Sequence, residues 1–219
     1  MQQQGKSSLT GLPQTKRNNK GKIKERIISL GLLKKNLIVT GLPGVGKTTL
    51  IKKLSEALKS FHPVGFYTEE IRERNERKGF ELISLEGKKS LLSHKNVKSP
   101  YQVGQYKVDI KGFEEFLDSV SFFNPLIHLI IIDEIGKMEC LSDQFKRLLK
   151  EILDSGKWVI ATLALKGSGL IAEVKRRKDI KLFEITKKNR DSLLKEISDF
   201  VNQTHQPDGG AQSTLVKWE

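Results

Sequence analysis

The sequence predicts a three-layer α/β fold: a mostly parallel sheet with helices on both faces and an inserted β-hairpin. Three observations predict it. Short apolar runs alternate with segments whose apolar residues recur at helical spacing, the pattern of a sheet wrapped by crossover helices. A glycine-rich loop joins the first apolar run to the first helical segment. Between residues 80 and 92 the texture changes to two short runs around Glu86-Gly87, a hairpin signal.

Each element has its own reason. Leu37–Thr40 is a short apolar strand, and residues 47–59 follow as a helix with Leu50, Ile51, Leu54, Ala57 and Leu58 on one stripe. Pro63–Thr68 is the second strand. Phe80–Leu85 and Lys89–Leu92 form the inserted hairpin, and Tyr106–Ile110 adds a strand to it. Residues 113–121 form a short helix. Leu126–Asp133 is the strongest strand, an apolar run of the type buried on both faces. Residues 141–154 form the clearest helix, with Phe145, Leu149 and Ile152 on its stripe and Gly156 just past its end. Strand Trp158–Leu163, a helix at 169–176, a strand at 180–185 and a helix at 190–201 complete the order.

The chain has 219 residues, and its pattern divides into an arm (1–35), one folded domain (36–201) and a tail (202–219). Arm and tail are polar and expected to be flexible. Nine basic residues and one acid fall in the arm, so +8 of the formal net charge of +13 is concentrated there. Residues 22–34 have the spacing of a short basic helix, with Ile23, Ile27 and Ile28 on one face. The arm reads either as a solvated extension or as a nucleic-acid contact, and it has no aromatic residue for base stacking. One cysteine excludes a disulfide framework and a cysteine-based metal cluster. No apolar run reaches the roughly 18 to 20 residues of a membrane span, and the N-terminus lacks an apolar signal core. These features predict a soluble, cytoplasmic monomer with no membrane partner.

Residues 41–48 (Gly41, Leu42, Pro43, Gly44, Val45, Gly46, Lys47, Thr48) fit the pattern Gly-x4-Gly-Lys-Ser/Thr. A loop that wraps a polyphosphate must aim successive backbone N–H groups inward, which calls for glycine at positions 41, 44 and 46. The following helix points its N-terminal N–H groups at the same anion. Lys47 is expected on the β- and γ-phosphates, Thr48 on Mg²⁺ and Thr49 on the α-phosphate. The competing dinucleotide fingerprint needs a small residue at position 49, where Thr49 stands.

Such a loop needs an acid at the end of a neighbouring strand. Asp133 ends the run Leu129–Ile132 and is the expected second Mg²⁺ residue. Glu134 follows it and is the candidate general base for an attacking water, or else a structural acid.

The segments TGLPGVGKTTL, GFYTEE-x-R, IIDEIGKME and TKKNRDSLL resemble, in order and spacing, the THEP1 family of P-loop nucleoside-triphosphatases. The resemblance covers roughly residues 37–200. It implies a P-loop NTPase fold and Mg²⁺-dependent hydrolysis of ATP, GTP and other NTPs, with loose base preference. It carries nucleotide contacts onto Gly41–Thr49 and onto Asp133, Glu134, Ile135 and Gly136, and matches Arg77 and the Asn189-Arg190 pair. Cys140 stands where the family usually has leucine, and Ala164-Leu165 where a histidine-basic pair is common.

Other residues carry open alternatives. Thr68, Glu69 and Glu70, read as the end of the second strand, either orient water or are simply solvated. Lys137 is either an internal cationic finger or a surface lysine. Thr162 is either a polar sensor or a hydroxyl bonded to backbone. Asn189 reads first as a helix N-cap. Arg190 is a candidate base or phosphate contact. The four histidines have no metal-ligand spacing. Two further functions stay open beside hydrolysis: a nucleoside or nucleotide kinase, with the hairpin at 80–92 in its acceptor site, and a nucleotide-switched nucleic-acid module acting through residues 1–35.

Overall fold

The structure, a computed structural model, describes residues 34–204. The basic helix expected within 22–34 and most of the arm and tail lie outside the described residues.

The elements are β1 (Asn36–Gly41), α1 (Lys47–Ala57), β2 (Val64–Glu73), β3 (Glu76–Ser84), β4 (Lys89–His94), β5 (Gln102–Val103), β6 (Tyr106–Val108) and α2 (Ile110–Asp118). They continue with β7 (Leu129–Ile135), a 3-10 turn at Glu139–Leu141, α3 (Asp143–Asp154), β8 (Trp158–Ala164), α4 (Leu170–Arg176), β9 (Ile180–Glu184) and α5 (Arg190–Thr204). The nine strands among the described residues form one sheet in the order β5-β6-β4-β3-β2-β7-β8-β1-β9. From β2 to β9 the pairing is parallel. From β2 outward through β3, β4, β6 and β5 it is antiparallel.

The alternation of side chains along each strand explains the layers. Ile38, Phe66, Ile130, Ile132, Val159 and Ala161 pack on one face against α2, α3 and α4. Phe66 meets Phe113 and Phe116 of α2 edge-on, with ring centroids 6.2 and 5.7 Å away. On the other face α1 buries Leu50, Ile51 and Leu54, α5 buries Leu193, Ile197 and Val201, and the two helices touch. Among the described residues no helix is long and apolar enough to cross a membrane.

The expected alternation and three-layer order hold, with corrections. The insertion is larger than one hairpin: β2 runs on to Glu73 and folds back through Arg74-Asn75, both at positive φ (48° and 64°), the backbone of a tight hairpin turn. Thr68, Glu69 and Glu70 therefore lie inside a strand and not at its end. Strand β5 is two residues long and escaped the sequence reading. Helix α2 starts three residues before the expected 113, because Asp109 caps it by accepting the Gly112 N–H at 3.1 Å. Ser142 caps α3 in the same way, accepting from Phe145 N–H at 3.0 Å. Strand β7 begins at Leu129, not Leu126, and runs two residues beyond Asp133.

Candidate active site

The strand order brings two loops together. β1 runs into the glycine-rich loop, β7 carries the acids, and β8 lies between them. In open α/β sheets the carboxyl ends of parallel strands are where ligands bind.

The loop's glycines have different reasons. Gly44 (φ 72°) and Gly46 (φ 111°) stand in open space in a left-handed backbone that a side chain would strain. Gly41 is the last residue of β1, and a Cβ there would stand 2.6 Å from the Ile185 carbonyl oxygen. It is needed for close approach and not, as the motif suggested, for turn freedom. The loop closes through Val45 N–H to Leu42 O at 3.3 Å, and α1 begins with Leu50 N–H on Gly46 O at 2.9 Å.

The Thr48 hydroxyl donates to Asp133 Oδ2 at 2.6 Å, and the Thr162 hydroxyl of β8 donates to Asp133 Oδ1 at 2.5 Å. Thr162 is thus bonded to the acid and not to backbone. Asp133 is 1% exposed. Burial holds its carboxyl above the ordinary carboxylate range, although the two hydroxyls and Lys47 pull the other way. Lys47 donates to Gly41 O at 3.3 Å and pairs with Glu134 Oε2 at 3.5 Å. Glu134 is also pushed up by burial, against the pull of Lys47 and with added repulsion from Asp133. The Asp133–Glu134 peptide is cis.

Lys47, Thr48 and Glu134 border a cavity of about 610 Å³, while Asp133 and Thr162 lie buried behind them and are not among the residues lining it. Pro43, Gly44, Gly46, Lys47, Thr48 and Thr49 line it from the loop, and Glu134, Gly136 and Lys137 from the end of β7. Not every expected residue presents a side chain there. Leu42 is 64% exposed, whereas Val45 and Ile135 are buried in the core, so these three offer a ligand only their backbone. Glu69 and Glu70 reach the cavity already paired, Glu69 with Lys52 and Glu70 with Arg72 and Arg77. Thr68 of β2 lines it as well. Arg190, the exposed first residue of α5, is not among the residues lining the cavity. The Asn189 carbonyl accepts Leu193 N–H at 2.8 Å at the start of α5. Its side chain turns back, accepting from Thr186 N–H at 2.7 Å and donating to Glu184 O at 2.9 Å.

Sequence reasoning missed Glu139. It lines the cavity, is 5% exposed, and burial pushes its carboxyl up to about 8. A Cβ on Gly136 would stand 2.7 Å from Glu139 Oε2 and 3.1 Å from Glu134 Oε1, so the two carboxyls flank this glycine. Phe80, Leu92, Val103, Met138 and Lys166 were missed as well. An acid before a helix and scattered apolar residues on separate strands carry no local signal of a shared cavity.

A family model described as NTPase matches residues 36–198. The chain belongs to the THEP1 family of nucleoside-triphosphatases. The relative named nucleoside-triphosphatase THEP1 from Thermotoga maritima is 47% identical over 162 residues, spanning 74% of this chain and 92% of its own. The human cancer-related nucleoside-triphosphatase is 40% identical over 179 residues, spanning 74% and 94%. The crystal structure of THEP1 from Aquifex aeolicus superposes with a TM-score of 0.65 at 39% identity, covering 74% of this chain and 96% of that one. The THEP1 fold is therefore shared across the described domain, while the basic arm lies outside the matched segment.

Proposed function

We propose that the chain hydrolyses the β–γ bond of nucleoside triphosphates, with Mg²⁺, at the junction of the glycine-rich loop and the end of β7. One observation carries the reading: the Gly-Lys-Thr turn and the Asp-Glu pair, 85 residues apart for Thr48 and Asp133, meet through the 2.6 Å hydrogen bond between those two. The names of the family relatives support the same activity.

Thr48 and Asp133 would hold Mg²⁺. Both are hard oxygen donors, the kind this ion takes together with phosphate oxygens and water. A cation beside Asp133 would also offset the burial that raises its carboxyl. When bound there, the ion would supply neutralisation of phosphate charge.

The rest is the work of the chain itself. The loop's N–H groups and the start of α1 bind the phosphates, and Lys47 leaves Glu134 to follow the charge that develops on the transferred group. Glu134, freed of Lys47, takes the proton of the attacking water. Thr162 fixes the rotamer of Asp133 from the strand between them. Positioning and electrostatics carry most of the rate. Every contact invoked reaches phosphate only, so ATP, GTP and other NTPs serve alike.

The test is phosphate release from each NTP without any acceptor. Lys47→Ala is expected to abolish release nearly completely. Glu134→Gln is expected to keep ATP binding and lower turnover by about 10²-fold or more. Full activity in Glu134→Gln removes the base assignment, and full activity in Lys47→Ala removes the site.

A further inference from the structure

The cavity at the phosphate loop continues well past the acids. Beyond Glu134 and Met138 it runs over the antiparallel half of the sheet, where its floor is Thr68 and Glu70 of β2, Phe80 of β3, Leu92 of β4 and Val103 of β5. On β2, Thr68 and Glu70 follow Phe66 at alternate positions, so this floor continues the face that α2 covers further back. At its rim the Arg77 guanidinium lies 5.2 Å from the centre of the Phe80 ring. It donates to Glu70 at 2.6 Å and to the Tyr106 hydroxyl at 2.9 Å. Phe80 and Tyr106 meet edge-on, 5.4 Å between centroids.

Hydrolysis does not need this space. An attacking water takes about 30 Å³, whereas the cavity, about 610 Å³ in all, extends past the phosphate loop and the acids to side chains on β2, β3, β4 and β5. As a whole it falls in the size range of small-molecule pockets. Apolar side chains (Phe80, Leu92, Val103) beside one fixed polar cluster are also the usual make-up of such a pocket. The aromatic and guanidinium wall suits a flat ring, and the ion-paired Arg77 and Glu70 present donors and acceptors to an uncharged ligand with hydroxyl groups. The chamber opens toward Glu134, on the same cavity that the phosphate loop lines.

We propose that this far chamber binds a nucleoside as a phosphoryl acceptor. The inference rests on the phosphate site as read above. A nucleoside hydroxyl oxygen attacks the γ-phosphorus and forms the new O–P bond. The bond from phosphorus to the β–γ bridging oxygen breaks, its electron pair leaves with the NDP, and the hydroxyl proton passes to the Glu134 carboxylate. The products are a nucleoside monophosphate and NDP. Water enters the same line of attack when the chamber is empty of nucleoside.

The experiment uses the full chain with Mg²⁺ and ATP labelled at the γ-phosphate, alone and with adenosine, guanosine, cytidine or uridine, following label in free phosphate and in nucleoside monophosphate. The expected result is label in at least one monophosphate, with transfer lost in Phe80→Ala and in Val103→Arg while acceptor-free release stays within about twofold of the parent. Val103→Arg, on a short edge strand, covers the case in which Phe80→Ala unfolds. Release with no labelled monophosphate from any of the four overturns the acceptor site and leaves the hydrolase standing. Transfer undiminished in both folded variants also overturns it. Neither release nor transfer overturns both readings.

Discussion

Gly41 and Gly44 look alike in the motif, yet they answer to different forces. A methyl at Gly41 meets the Ile185 carbonyl oxygen and Ile185 Cγ2 at 2.6 and 2.8 Å, and Ile185 N–H is tied to Thr40 O at 2.8 Å. Gly41→Ala is therefore expected to loosen the β1–β9 edge and lower stability by about 1–3 kcal/mol, the scale of overpacking, as read by urea denaturation. Gly44→Ala meets only backbone strain and is expected to cost about 1–2 kcal/mol.

Glu139 gives a pH dependence whose sign is unusual for a carboxyl. Its folded value is raised to about 8 by burial, with Glu134 and Asp133 adding repulsion, against 4.5 for an ordinary glutamate. Between those values the unfolded chain has lost a proton that the folded chain keeps, so this group makes stability fall as pH rises. The slope is about 1.4 kcal/mol per pH unit for one proton, and it ends above the folded value. Glu139→Gln removes it: urea denaturation between about pH 5 and 8 should give a flatter profile than the parent. Parallel profiles would show that Glu139 is ionised in the folded chain. None of this was legible in the residues around position 139, because burial is set by the turn after β7 and by Gly136, not by local composition.

At the scale of elements, apolar periodicity revealed which face of each helix is buried, and side-chain caps decided where the helix starts. This is why the stripe at 113–121 puts the start of α2 three residues late, whereas the Asp109 cap sets it at Ile110. The hairpin turn at Arg74-Asn75 shows a different limit: Arg and Asn hold two positive φ values without glycine, so no Asn-Gly signal announced the turn. Replacing the pair by Asn-Gly should stabilise the β2–β3 hairpin by up to about 1 kcal/mol, since those residues favour this backbone. Thermal unfolding of the double substitution checks it, and a lower midpoint would contradict the turn assignment. Ser142→Ala should cost about 1 kcal/mol through loss of the α3 cap, and somewhat more here because Ser142 also donates to Glu114 at 2.6 Å.

At the scale of the molecule, the sheet order brings the chemistry together. Each parallel strand was recognisable alone, but their order is a long-range pairing with no local trace in the sequence. β8 between β1 and β7 sets Thr162 beside Asp133 and leaves one strand's width between the phosphate loop and the acids. The cradle itself was legible because its spacing encodes a local backbone shape. Of the chamber, the sequence offers only the hairpin at 80–92 as a possible acceptor site; Thr68, Glu70 and Val103 were not legible as part of it, because they lie on other strands and share only a sheet face.

The most direct test of the whole account is a crystal structure of the full chain with Mg²⁺ and a nonhydrolysable ATP analogue. The predicted result has the γ-phosphate on Lys47, the ion on Thr48 and Asp133, and Glu134 released from Lys47 to face the γ-phosphorus. A triphosphate bound away from the glycine-rich loop, or one that leaves Asp133 and Glu134 without contact to ion, phosphate or water, would contradict it.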